Sequence, residues 1–134
     1  MKRAHLIFGA ILVVVFLLTG QYMDKFYHHL RDMPDGPRML YRTRHIFILL
    51  SGLLNLGIGT YIQQRRPLRG WICQWCGSGL IALAALLFVA AFFYEPTLAN
   101  LKTPLSHWGM YAIVAGVALH LLSGAVPEDD VTNR

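Results

Sequence analysis

The chain has 134 residues, 55% of them hydrophobic and 14% charged, with a mean hydropathy of +0.45. That length leaves room for one domain, and the composition is too apolar for a soluble one, so it reads as an integral membrane protein. The formal net charge of +5 comes from basic residues beside apolar runs, where they set topology; this excludes a nucleic-acid surface, and two cysteines are too few for a disulfide scaffold.

In chain order, Lys2 and Arg3 precede an apolar run that ends near Leu18. The run has the build of a secretory signal, but Leu18 stands where cleavage wants a small residue. It is therefore read as an uncleaved membrane helix over about 4–22. The polar stretch 23–42 follows, with the turn-forming residues Pro34, Asp35, Gly36 and Pro37. It is expected to be the longest loop and to cap the outer side, with a short helical piece near 24–31.

A second helix is predicted over about 43–63. In it Ser51, Asn55 and Gly59 recur at every fourth position, a small and polar stripe at which membrane helices approach closely. A basic connector at 64–70, holding Arg65, Arg66 and Arg69, leads to a third helix over about 71–94. After a brief loop, Thr103 and Pro104 give an N-cap and a first-turn proline for a fourth helix over about 104–124. The acidic tail with Glu128, Asp129 and Asp130 is expected to fray.

These elements predict a single all-α domain over 1–134, an up-down-up-down four-helix transmembrane bundle in contact with the lipid bilayer. Both termini then lie on one side. Lys2, Arg3 and the densely basic second connector assign that side to the cytoplasm of a bacterial-type inner membrane.

The histidines carry the sharpest functional expectation, because ionisable groups are rare in membrane helices. Antiparallel threading puts His5 and His120 at the inner level and His45 and His107 at the outer one, each pair split between two helices. The thirteen residues between His107 and His120 correspond to about 20 Å of helix rise. A bis-histidine haem needs one imidazole from each of two helices, a flat apolar slot and cations for its propionates. Gly9 and Gly116 lie four residues inward from His5 and His120 and would clear that slot, and Ala112 continues the clearing. Arg42 and Arg44 beside His45 would meet propionates or anionic lipid, with Phe47, Trp108 and Tyr111 as pocket walls.

This arrangement resembles that of dihaem b-type membrane cytochromes, which hold one haem near each face of a helical bundle. The resemblance implies haem b as cofactor, the four histidines as iron ligands, and electron transfer rather than an enzymatic reaction of its own. It departs from the quinol-oxidising cytochromes, in which both haems bridge the same two helices. The alternative is a non-catalytic accessory or scaffold subunit without cofactor. Its histidines and arginines would be interfacial anchors, and its glycines would pack against each other, a second copy or a membrane-protein partner.

Other chemistry is thinner. Cys73 and Cys76 form a C-x-x-C without a second pair or a following histidine, and read as small apolar residues. His28 and His29, near Asp24 and Asp32, could hold a divalent metal at the surface. No phosphate loop, nucleophile motif or H-E-x-x-H is present, which excludes a nucleotide enzyme or a soluble-type hydrolase.

Overall fold

The computed structural model describes residues 1–62, 68–98 and 100–124. Arg65, Arg66 and the acidic tail lie outside the described residues. Four long helices make the fold: α1 (Lys2–Tyr27), α2 (Asp35–Tyr61), α3 (Leu68–Tyr94) and α4 (Pro104–Gly124). The described residues contain no strand. Three stretches, Lys2–Leu30, Leu68–Thr97 and Pro104–Gly124, are helices long and apolar enough to cross a membrane. In lipid an unpaired backbone amide or carbonyl is costly, so long apolar runs close their hydrogen bonds within the segment as helix. α2 is as long as α3 but less apolar, since its first half is charged and Ser51 and Asn55 interrupt its second.

Two antiparallel hairpins are the packing units. α1 lies on α2, α3 lies on α4, and α2 against α3 joins the hairpins. In the first hairpin the contacts run in opposite directions along the two chains. Gly59 of α2 meets Leu6, Gly52 meets Gly9, Leu12 and Val13, and Gly20 of α1 meets His45. The buried residues of α1, namely His5, Gly9, Leu12 and Thr19, follow a helical spacing and form one stripe. Ile7, Ile11, Val14 and Leu18 form the opposite, exposed face, suited to lipid.

The second hairpin closes on backbone. A Cβ on Gly77 would stand 2.8 Å from the Gly116 carbonyl oxygen, and a Cβ on Gly116 would stand 2.8 Å from the Gly77 carbonyl oxygen and 2.7 Å from Ile81. Small residues at such crossings let main chains approach, which is how membrane helices gain packing where lipid offers no hydrophobic drive. Between the hairpins sits a core of Ile48, Ala84, Phe88 and Phe92, all fully buried, with Tyr41, Ala112 and Ile113 around it.

The expected long loop at 23–42 is mostly helix. α1 continues past 22 to Tyr27, and α2 starts at Asp35 rather than near 43. Polar residues do not oppose a helix outside the lipid. Pro37 falls in the first turn of α2, where an amide would lack a helical partner anyway. The true reversal is short and strained: His28, His29 and Leu30 have φ of 45°, 57° and 64°. Left-handed backbone costs a non-glycine residue roughly 1–2 kcal/mol. Burial of Leu30, 3% exposed in the core cluster, opposes that cost, and Arg38 closes the turn by donating from Nη2 to the Met33 carbonyl at 2.7 Å. At the other bounds α3 begins at Leu68, one turn before the expected 71, and α4 spans the expected 104–124.

The glycine crossings give a direct test. Gly116→Ala places a methyl group against backbone and should destabilise the bundle by about 1–3 kcal/mol, read as a lower unfolding midpoint in detergent. Gly79→Ala, which has open space at its Cβ, should leave the midpoint unchanged or raise it slightly.

Candidate functional site

Each helix contributes one side chain to a polar network, buried at His5 and Asn55 and partly buried at Ser78 and His120, near the end of the bundle where the first and last helical residues meet. His5 of α1 bonds through Nδ1 to Asn55 Oδ1 of α2 at 2.8 Å, and through Nε2 to Ser78 Oγ of α3 at 2.8 Å. Ser78 Oγ also lies 3.2 Å from His120 Nε2 of α4. The two imidazole centroids are 5.9 Å apart, with the rings inclined at 72°. His5 is 6% exposed and Asn55 1%. The packing explains the convergence: α1 and α4 start and end at this level, and the glycine crossings bring α2 and α3 within reach of both.

The outer partners are tied at their second polar atoms. Asn55 Nδ2 donates to the Ser51 carbonyl at 2.9 Å, and Ser78 Oγ lies 2.7 Å from the Gln74 carbonyl as its donor. His120 also lines a cleft of about 350 Å³, together with Ile58, Tyr61, Ile62 and Leu121. Both ring nitrogens of His5 face a polar side-chain atom of another helix, which lowers the cost of holding a histidine inside the bundle.

The other expected pair is arranged differently. His45 turns toward α1, bonding Thr19 Oγ1 through Nδ1 at 2.9 Å and stacking on Phe16 with centroids 4.0 Å apart. His107 is exposed and bonds back to its own helix start, with Nδ1 2.7 Å from the Thr103 carbonyl. The structure thus brings His5 and His120 together and gives His45 and His107 separate partners.

The faces beside Gly9 and Gly116 are filled by neighbouring helices. A Cβ on Gly9 would stand 2.9 Å from the Gly52 carbonyl oxygen and from Leu56, and Gly116 abuts Gly77 and Ile81. Ala112 is buried in the core cluster. Phe47 packs on Phe88 with centroids 5.0 Å apart, whereas Trp108 and Tyr111 are paired with each other on the exposed surface.

Arg42 is exposed, but Arg44 is 5% exposed and its Nε donates to Glu95 Oε2 at 2.7 Å. Glu95 is fully buried in the short turn after α3. Its Oε1 accepts from the Ser106 amide at 2.8 Å, and its Oε2 accepts from Ser106 Oγ at 2.6 Å. The carboxylate therefore caps the first turn of α4, where amides lack helical partners and the dipole favours negative charge. Arg44 neutralises it. Sequence reading missed Glu95 and Ser106. The signal was a Glu-Pro directly after an apolar run, followed by the start of another helix nine residues on.

Among the described residues no three His, Cys, Asp or Glu side chains converge. His29 Nε2 instead pairs with Asp24 at 2.7 Å on the surface. Cys73 and Cys76 are both free, the first half-buried and the second exposed. Comparison with protein-family models, curated proteins and solved structures found no match.

Removing one partner of the buried ion pair leaves an uncompensated charge. Glu95→Ala should cost about 3–5 kcal/mol, seen as a large loss of unfolding midpoint in detergent. The double variant Arg44→Met with Glu95→Ala should recover much of that loss, because no isolated cation then remains buried.

Proposed function

We propose that the chain is a non-catalytic membrane subunit, a rigid bundle that serves a larger assembly in the bilayer. The observation that supports this reading is the occupancy of its polar and small groups. Both ring nitrogens of His5 and the faces of Gly9 and Gly116 have protein partners. The histidine network then acts as a clasp that holds four helices in register. Lipid-facing apolar surface on α1 and the exposed aromatic residues Trp71, Trp75, Trp108 and Tyr111 suit a partner or headgroups at the bundle's rim.

The meeting of His5 and His120 puts the start of α1 and the end of α4 at the same end of the bundle. Lys2 and Arg3 favour the cytoplasmic side of a bacterial-type inner membrane for that end. A reporter fused after the C-terminus should be active in the form that works in the cytoplasm. Activity of the periplasm-dependent form would reverse the topology.

A second reading is favoured by one distance. Two imidazoles trans across one metal at nitrogen–metal distances of about 2 Å would have centroids roughly 6 Å apart; His5 and His120 stand at 5.9 Å, with Ser78 Oγ between their Nε2 atoms. The electron-transfer reading in this form has one b-type haem ligated by His5 and His120, with Ser78 moved from between them. His45 and His107 would then serve packing and the α4 start rather than a second haem.

One preparation separates the readings. Protein solubilised from its own membranes in mild detergent should be colourless and run as a complex larger than its 15.1 kDa chain. A monomer without absorbance would overturn the subunit reading. A Soret band lost in His120→Ala and kept in His45→Ala and His107→Ala would establish the haem reading instead.

A further inference from the structure

The hydrogen bonds of the four-helix network assign its protons. Asn55 Nδ2 is committed to the Ser51 carbonyl, so Asn55 presents Oδ1, an acceptor only, to His5 Nδ1. His5 must therefore carry a proton on Nδ1, and its Nε2 is the atom that gains or loses one. Nε2 faces Ser78 Oγ, a hydroxyl with one proton and three neighbours: His5 Nε2 at 2.8 Å, His120 Nε2 at 3.2 Å and the Gln74 carbonyl at 2.7 Å. The carbonyl can only accept, and each imidazole nitrogen can donate or accept. In the structure the single Ser78 hydrogen is donated to the Gln74 carbonyl, so Ser78 sits between two rings and its hydroxyl must rotate toward His5 Nε2 before it can pass a proton on.

We propose that His120, Ser78 and His5 form a proton relay that carries a proton from a cleft at this end of the bundle to the buried ring of His5 between the helices. His120 is the entry. Its Cδ2 and Nε2 edge faces Gly77 of α3, which turns Nδ1 away from α3, and the residue lines the cleft. His5, at 6% exposure, is the acceptor and has no comparable access.

The step balances without any redox partner. A proton taken up at His120 Nδ1 makes that ring an imidazolium. Its Nε2–H bond then breaks as a new O–H bond forms on Ser78, while the original Ser78 O–H bond breaks and an N–H bond forms on His5 Nε2. His120 ends neutral with its hydrogen on Nδ1. His5 ends as the imidazolium, donating to Asn55 Oδ1 and Ser78 Oγ, and the Ser78 hydrogen turns to the Gln74 carbonyl.

The ionisable groups around this pair, among the described residues, are few. On α1 the nearby ionisable groups are the amino terminus, Lys2 and Arg3; on α2, Tyr61; on α3, Arg69, Cys73 and Cys76. Lys2, Arg3, Tyr61, Arg69 and Cys76 are exposed, and the amino-terminal residue and Cys73 are half-buried. The carboxylates among the described residues, Asp24, Asp32, Asp35 and Glu95, are placed toward the opposite end. No described carboxylate competes for the proton at this end. Two imidazolium rings 5.9 Å apart repel, so the relay moves one charge rather than holding two.

The test is nitrogen-resolved magnetic resonance of the full chain with labelled histidine, in detergent micelles. Wild-type His5 should carry hydrogen on Nδ1, facing Asn55 Oδ1, with Nε2 as the nitrogen that receives the relayed proton. Ser78→Ala should slow proton arrival at His5 at least about tenfold, because a buried ring must then wait for local opening. Ser78→Thr, which keeps the hydroxyl, should restore the rate. Should Ser78→Ala fail to fold, His120→Gln decides by the same rate. An unchanged rate in these variants, or a His5 ring with hydrogen on Nε2 and a bare Nδ1, would overturn the relay. A haem on these rings would occupy both Nε2 atoms, and its absorbance would report that separately.

Discussion

An imidazole buried between helices has two ring nitrogens that need polar partners, and the placement of His5 depends on supplying them. The solution draws on every helix: Asn55 on α2, Ser78 on α3 and, through the same hydroxyl, His120 on α4. Individual hydrogen bonds of this kind in membrane proteins contribute only about 0.6 kcal/mol on average. Their larger effect is on specificity, because a slip of one residue in any helix would carry a partner to another face and leave a buried nitrogen unpaired.

The glycine crossings make this geometry reachable. Where Gly9 meets Gly52 and Gly77 meets Gly116, the main chains come close enough for short side chains such as Asn and Ser to bridge between helices. The two devices are complementary. Close packing alone would tolerate sliding along a smooth apolar face, and the polar contacts alone could not span wider gaps. At the opposite end Arg44, Glu95 and Ser106 repeat the logic with charge, tying α2, the turn after α3 and the start of α4.

The fold was legible because membrane helices announce themselves by apolar length, and α4 matches its expected bounds at both ends. The reach of α1 and α2 beyond the lipid was not legible in the same way. Apolar length marks where a helix must be in lipid, and the polar extensions to Tyr27 and back to Asp35 carry no such mark. At the site, threading brought His5 and His120 to one level correctly, but depth alone does not give direction. His45 lies at the expected level and turns to Thr19 and Phe16, a choice set by helix rotation that residue spacing leaves open. Ser78 was hidden because a serine in a small-residue tract is not distinctive, and its role arises only from two other helices.

The buried ion pair bears on how the chain is made. Arg44 waits for a partner 51 residues further along, and translation at roughly 5–20 residues per second puts several seconds between them. During that interval the first hairpin carries an uncompensated cation close to lipid, with arginine free to reach toward headgroups. Only when Glu95 and the first turn of α4 are made does Arg44 gain the carboxylate that compensates it, so the ion pair ties the first hairpin to the last part of the chain to be synthesised.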